Sequence, residues 1–381
     1  MPRLKESFEL MRRLFESFAT KAIDWWFRVS VIERFLITTA AGLLIAIFGG
    51  VPLIAELLRI AIGAVPEGYL NAQGKIDAVA GWILGIGFLM IVVGLGIAIA
   101  RFIGDVKSRS KKRIIVIEGR GLRDDDGAPL DGTVGKQVEG QIVPVLLDLR
   151  RRMDGKVIEP ERALDDIAAA HRSVLQHRRG IDRNDLTVVY GGLTSVPYTF
   201  LTGLLLDDEG DIKTYDWDRT QEAWRNLEGD DDGLSLAING IDALSNSNEA
   251  VLAVAFSYPV DDNDLQSTFP HPVVRLTLDG MSSDAHWSQA KQNRLAQEFL
   301  EVVKRLSAAG VKRIHLVMAA PNSAVFTFGR RYDKRNLPEV AVYQFERGKK
   351  PAYPWAVLMP VAGIDRPEIL NQSGNGGGDA G

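Results

Sequence analysis

The sequence predicts a membrane-anchored α/β protein, in which an N-terminal two-helix transmembrane hairpin precedes two fused Rossmann-like α/β halves. Three observations predict it: a pair of long uncharged apolar runs, a strand–helix alternation from about residue 113 onward, and a duplicated strand–turn–helix unit within that alternation. The runs are Phe35–Ala55 and Val79–Ala100, and neither contains Asp, Glu, Lys or Arg although these make up 25% of the chain. At about 1.5 Å per helical residue each spans slightly more than 30 Å, which matches a hydrocarbon core of roughly 30 Å.

Charge around the runs sets their orientation. Arg3, Lys5, Arg12, Arg13, Lys21, Arg28 and Arg34 precede the first, and Arg101, Lys107, Arg109, Lys111, Lys112 and Arg113 follow the second, whereas the connector Glu56–Ala78 holds only Arg59 and Lys75. Both basic flanks, and with them both termini, are expected in the cytoplasm. More than thirty residues precede the first run, which argues against a cleaved signal peptide. Within 1–34, Leu4, Phe8, Met11, Phe15, Phe18, Ala22 and Trp25 form one helical stripe. That stripe suits a helix lying in the membrane interface, with Trp25 and Trp26 at headgroup level, or equally a packing helix between protomers. Gly81 and Gly85 form a small-xxx-small pair that permits close helix approach in the second span.

The predicted organisation is therefore an amphipathic helix over 1–34, a hairpin over 35–104, a basic linker over 105–112, α/β halves over 113–248 and 249–366, and a disordered Gly-rich tail over 367–381. Residues 105–381 carry 35 Lys+Arg against 41 Asp+Glu, which disfavours a broad surface for DNA or RNA polymers and leaves a small anionic ligand open. With no cysteine there is no disulfide, thiol nucleophile or zinc–thiolate site.

Strands are predicted at Arg113–Glu118, Leu186–Tyr190, Val251–Phe256, Val273–Leu278, Arg313–Met318, Val340–Phe345 and Trp355–Leu358, from short β-branched apolar runs. Helical patterns cover Val138–Arg152, Pro160–Arg178 and Ala285–Ala309, the last ending near Gly310. The duplication appears in two hexapeptides. Ser195-Val196-Pro197-Tyr198-Thr199-Phe200 follows one buried strand, and Ser323-Ala324-Val325-Phe326-Thr327-Phe328 follows another. Each turn puts small or polar residues where a helix begins, an arrangement that serves a phosphate or simply caps the helix.

The loops Gly119-Arg120 and Ser257-Tyr258 are expected to join Thr194, Ser195, Asn322 and Ser323 around a ligand at the strand C-termini. Arg120 is the candidate phosphate donor and Tyr258 or Tyr198 the stacking platform, with Phe326, Lys291 and Trp287 as further candidates; Tyr198 and Phe326 serve equally as core packing. No phosphate-binding loop, nucleophile elbow or His-Glu-x-x-His helix is present, and His171 and His177 do not share a helix face. His271, His286 and His315 have no partner that spacing can assign. The acidic runs Asp124–Asp126 and Asp230–Asp232 have the charge to hold a divalent ion, but beside Gly127 and Gly233 they read as solvated turns. Neither a catalytic site nor a metal site is expected.

One family shares these motifs. Ala320-Pro321-Asn322-Ser323, followed by Phe326 and Gly329 and by strands at Pro338–Tyr343 and Tyr353–Val357, resembles the C-terminal signature of SAVED domains. Val189-Tyr190-Gly191-Gly192 with Pro197 and Gly203 resembles its counterpart in the first half. The likeness spans roughly 113–365, and it departs where Val325 stands against Pro197. It implies two CARF-like units forming a SAVED domain, in an effector of the bacterial anti-phage system CBASS that carries N-terminal transmembrane helices. It further implies an activating cyclic tri- or tetranucleotide made by a partner synthase, no cofactor, self-association on activation, and disruption of the bacterial inner membrane that kills the infected cell. A membrane-tethered phosphodiesterase acting on that messenger, and a constitutive membrane scaffold for a protein partner, are the alternatives.

Overall fold

The computed structural model describes residues 111–372, except 122–128, 151, 154–155, 158–159, 208–209 and 245–246, together with positions 89–90, 92–97, 99–100 and 103–104. The expected 1–34 helix, the first span, the connector Glu56–Ala78, most of the second span and linker, and the Asp124–Asp126 run lie outside the described residues. Among the described residues no helix is long and apolar enough to cross a membrane. The described part of Val79–Ala100 is helical, and Leu89, Val92, Val93, Leu95, Ile97 and Ile99 on it are exposed apolar side chains. Chain contacts separate Met1–Ser108 from Arg109–Gly381, and the second unit is described by itself below.

That unit holds two mixed sheets built on one plan. In the first half β1 (Arg113–Arg120), α1 (Leu130–Gln137), β2 (Gln141–Asp148), a small β3 (Arg152–Met153) and β4 (Lys156–Val157) ribbon, and α2 (Pro160–Arg178) lead to β5 (Leu186–Leu193) and α3 (Val196–Leu205). β6 (Ile212–Asp218) and β7 (Ala223–Asn226) complete the sheet. Its order is β2-β1-β5-β6-β7, with β7 alone antiparallel. The second half contains β8 (Leu236–Asn239), β9 (Glu249–Ala255), α4 (Asp262–Thr268), β10 (Val273–Leu278), α5 (Gln289–Ala308), β11 (Arg313–Ala319), α6 (Asn322–Arg331), β12 (Glu339–Gln344), β13 (Trp355–Leu358) and β14 (Glu368–Asn371). Its order is β14-β13-β12-β11-β9-β10-β8, so the central β10-β9-β11-β12-β13 repeats the first sheet strand for strand.

Local chemistry explains the elements. The interior strands β1, β5, β9 and β11 are buried on both faces, as parallel strands covered by helices must be, and therefore read as continuous apolar runs. Ser288 caps α5 by accepting the Lys291 N–H at 3.2 Å, and Gly310, at φ 96°, supplies the left-handed turn that ends it. One core runs through both halves, from Ile115 and Tyr190 through Phe200 and Phe326 to Leu252 and Phe299. α3 and α6 meet at its centre. Tyr190 stacks on Phe326 with ring centroids 3.7 Å apart, and Gly203 and Gly329 each lie against a backbone carbonyl of the other helix, at Phe326 and Phe200 respectively.

Four expectations change. Val138–Arg152 is not a helix: Gln141–Asp148 forms the parallel edge strand β2, where Pro144 is tolerated because an edge leaves one side of the strand unpaired. The second half begins before 249, since β8 pairs antiparallel with β10. Residues 368–371, assigned to a disordered tail, form β14 against β13, with Ile369 packed against the main core. The duplication is real, but its register differs by two residues from the hexapeptide match. The caps Ser195 and Pro321 correspond, as do Phe200 and Phe326, Gly203 and Gly329, and the C-caps Leu206 and Tyr332. Ser195 and Ser323 are therefore not equivalent positions.

Candidate functional site

A cleft of about 670 Å³ opens at the C-terminal edges of both sets of strands. The ends of β5, β6, β9, β11 and β12 bring Thr194, Ser195, Asp216, Ser257, Asn322 and Gln344 to its walls. In each sheet the chain runs to opposite sides of the first strand, β1 or β9, so the crevice beside it is a topological switch point, the usual ligand position in open α/β sheets. Aromatic side chains Trp217, Tyr258, Trp287, Phe345 and Tyr353 also line it.

The helix N-termini facing the cleft are already engaged across the two halves. Asn322 Oδ1 accepts the Thr194 N–H at 2.8 Å and the Thr199 hydroxyl at 3.0 Å, and Gln344 Oε1 accepts the Val196 N–H at 3.0 Å. The Ser323 N–H donates to Asp216 Oδ2 at 3.0 Å. A buried carboxylate thus sits where a phosphate was expected on α6, and these particular N–H donors are not offered to a ligand.

Three buried side-chain atoms among the described residues, Ser195 Oγ, Ser257 Oγ and His286 Nδ1, make no hydrogen bond of good geometry, although the Ser283 backbone acts weakly on the His286 ring. All three belong to residues that line this cleft. Leaving such an atom unsatisfied costs about 1–3 kcal/mol, so the walls of this cleft carry the polar groups that would gain most from a partner. Burial pushes the His286 imidazole below its ordinary pKa, against the opposing pull of Asp216, whose Oδ2 lies 3.7 Å from Nε2. Burial thus favours the neutral ring over the charged one. Beside it, Trp287 lies 4.3 Å from the His286 ring by centroids, and the Arg225 guanidinium sits 4.6 Å from the Trp287 ring. Arg225 also faces Asp218 at 3.6 Å, and backbone N–H groups of Gln221 and Thr220, with that guanidinium, hold the Asp218 carboxyl below the usual range.

Of the residues chosen from sequence, Thr194, Ser195, Ser257, Tyr258, Trp287 and Asn322 line the cleft. The other five do not. Arg120 pairs with Glu118 at 2.7 Å, and Tyr198 is buried against Trp355. Ser323 is sealed in a network where its Oγ accepts from Gln292 Nε2 at 2.9 Å, and Phe326 is the core partner of Tyr190. Lys291, 2% exposed, extends to Asp232 at 2.6 Å. Asp231 is bound by Arg294 at 2.7 Å, so Asp231 and Asp232 serve ion pairing. Sequence reasoning missed Asp216, His286 and Gln344. Asp216 was hidden because β6 turns Asp216 and Asp218 inward to buried positions, the reverse of the pattern that identifies a strand.

Comparison with known families decides the membership. Residues 170–359 match the SAVED family, the SMODS-associated and fused to various effectors sensor domain, and residues 12–164 match the SAVED-fused 2TM effector domain. The chain is a SAVED sensor domain fused to a 2TM effector domain. No curated protein matches it. Among solved structures the SAVED effector is similar to the Acinetobacter baumannii Cap4 SAVED/CARF-domain containing receptor with the cyclic trinucleotide 2'3'3'-cAAA, at 11% identity and a TM-score of 0.44, covering 76% of this chain and 61% of that one. It is also similar to the Moraxella osloensis Cap4 SAVED/CARF-domain containing receptor, at 11% identity and a TM-score of 0.40, covering 70% of this chain and 53% of that one. The SAVED effector thus spans less than two thirds of the length of these receptors.

Proposed function

We propose that the cleft binds a cyclic oligonucleotide second messenger, and that occupancy assembles the protein and drives its two spans to disrupt the bacterial inner membrane. The observation that carries the reading is the presence of Ser195 Oγ, Ser257 Oγ and His286 Nδ1, none with a hydrogen bond of good geometry, in residues lining a cleft of about 670 Å³ in a SAVED domain. The lining suits a nucleotide in two ways. Trp287, Tyr258 and Phe345 offer faces for base stacking, and Asp216, Asp218, Asp261, Asp264 and Asp284 offer acceptors for exocyclic amines. In this reading the bases meet the acidic wall, while the phosphates turn to Arg219 and Arg225 and to the Ser195 and Ser257 hydroxyls.

The messenger acts as an activator and leaves unchanged, since the cleft is a binding surface in this reading and performs no catalytic step. Ligand must favour the assembled state over the single chain, because equal affinity for both shifts nothing. Binding is tested on the full chain in detergent with a panel of cyclic di-, tri- and tetranucleotides. One member should stabilise the protein by about 2.7 kcal/mol at 100 times its dissociation constant and be recovered intact. Ser195→Ala with Ser257→Ala should weaken that ligand at least tenfold while leaving the ligand-free melting temperature unchanged or higher, since each substitution removes an unsatisfied buried hydroxyl. Stabilisation by no member of the panel would favour the scaffold alternative, and recovery of linear product would favour the phosphodiesterase.

A further inference from the structure

We propose that Glu249, His271 and His315 form a binding site for a divalent transition-metal ion at the end of the second sheet opposite the cleft. Glu249 opens β9, His271 lies two residues before β10, and His315 is the third residue of β11. Strand register brings them to one face. β11 sets Arg313 opposite Glu249 and His315 opposite Val251, while β10 sets Val273 opposite Val251, which carries His271 to the level of Glu249. One donor atom from each residue lies within 4.8 Å of the others, the only such group of three among the described residues.

Distances already approximate a coordination shell. Glu249 Oε2 is 2.8 Å from His315 Nε2 and 3.5 Å from His271 Nε2, and the two imidazoles stack with centroids 4.6 Å apart. A metal would replace the proton shared between His315 and Glu249 and draw His271 out of the stack. The surroundings orient the ligands as metal sites require. His315 Nδ1 is held by the Tyr343 hydroxyl at 3.0 Å, which Gln372 Nε2 approaches at 3.3 Å, so Nε2 is the nitrogen left toward Glu249. Phe269 packs on both His315 and Tyr343, giving the site an apolar floor. The nearby Arg313 is committed to Glu339 at 2.7 Å. His271 and Glu249 remain part-exposed, which gives an ion a way in.

Two imidazoles and one carboxylate select a borderline ion such as Zn²⁺ over Mg²⁺ or Ca²⁺, and three protein ligands leave the fourth position to water or a ligand from outside. Bound there, the ion would fasten the segment before β10 to β9 and β11. The site shares no residue with the cleft, so its test is independent of any nucleotide.

The full chain without a polyhistidine tag, chelator-treated in detergent, is titrated calorimetrically with ZnCl₂ and, separately, with MgCl₂, and its absorption is recorded with CoCl₂. One Zn²⁺ per chain, no Mg²⁺ binding and visible ligand-field bands from Co²⁺ are expected. His271→Ala should weaken Zn²⁺ by more than about 100-fold, because loss of even an outer partner of a ligand costs roughly 10- to 100-fold. His171→Ala with His177→Ala should change nothing. Absence of stoichiometric Zn²⁺ binding by the parent chain, or unchanged affinity in His271→Ala, overturns the site. Should His271→Ala fail to fold, Glu249→Gln serves in its place, and the intensity of the Co²⁺ bands of the parent chain reports whether the ion sits in a low-coordinate protein site or in an octahedral, water-like shell.

Discussion

His286 shows how much one side chain can state about a site. Its ring is 6% exposed, its Nδ1 makes no hydrogen bond of good geometry, and Asp216 approaches Nε2 without reaching hydrogen-bond distance. Desolvation dominates, and the folded pKa lies below the unfolded value of about 6.5. The unfolded chain therefore takes up a proton first as pH falls. Stability associated with neutral His286 is complete above about pH 6.5 and declines as pH drops from there toward the folded pKa. Melting temperatures of the ligand-free protein should fall between pH 7.5 and 5.5, and His286→Gln, which cannot charge, should fall less steeply. Parallel slopes for the two proteins would show that the ring takes up its proton alike in the folded and unfolded chain, and a shallower slope for the parent would show that the fold favours the charged ring. The same neutral ring is what a nucleotide would meet, either accepting from a base amine or donating to an acceptor through Nδ1 according to its tautomer.

At the scale of elements, the crossing of α3 and α6 is what joins the two halves. A Cβ at Gly203 would collide with the Phe326 carbonyl, and one at Gly329 with the Phe200 carbonyl, so the two glycines let the helix backbones touch. Alanine would gain about 1 kcal/mol of helix propensity at either site, but a clash against backbone on both sides of the core cannot be relieved by a rotamer change. Gly203→Ala and Gly329→Ala should each lose about 1–3 kcal/mol net in urea unfolding, and a gain in stability by either would refute the close crossing. These glycines also show what was legible. Both appear in the motifs that resembled SAVED domains, and the alternating strands and helices around them were readable because buried parallel strands are continuous apolar runs. Ser195, Ser257, Tyr258 and Asn322 were readable as well, since they follow such strands directly. What failed was register. Matching Ser195 to Ser323 aligned two similar hexapeptides, whereas packing aligns Gly203 with Gly329 and moves Ser323 two residues into the helix, into the Gln292 network. Edge strands were the other loss. β2, with Pro144 and alternating exposure, and the short β8 and β14 draw their pairing from distant chain, which no local pattern records.

For the whole molecule the proposed function poses the question of how a cleft at the strand C-termini would act on the two apolar runs. The chain itself leaves little slack: the second run ends at Ala100, Arg101–Lys112 is mostly basic and polar, and β1 begins at Arg113. A single hairpin of apolar residues is inert in lipid, so disruption requires either that assembled sensors bring many hairpins together or that they also transmit a directed movement. A flexible Gly/Ser insert of about twenty residues after Lys107 separates the two. Such a segment has a root-mean-square length of roughly 25 Å, enough to release hairpin spacing from sensor spacing while leaving the local concentration of spans high. If movement is transmitted, the insert should leave nucleotide affinity and assembly intact yet reduce dye release from ligand-treated proteoliposomes by tenfold or more. We expect this outcome, because few residues separate the end of the second apolar run at Ala100 from β1, an interior strand buried on both faces, which leaves little chain to absorb a rearrangement of the sheet. Dye release equal to that of the parent protein would show instead that crowding of hairpins is sufficient, and would make the linker a tether whose length is immaterial.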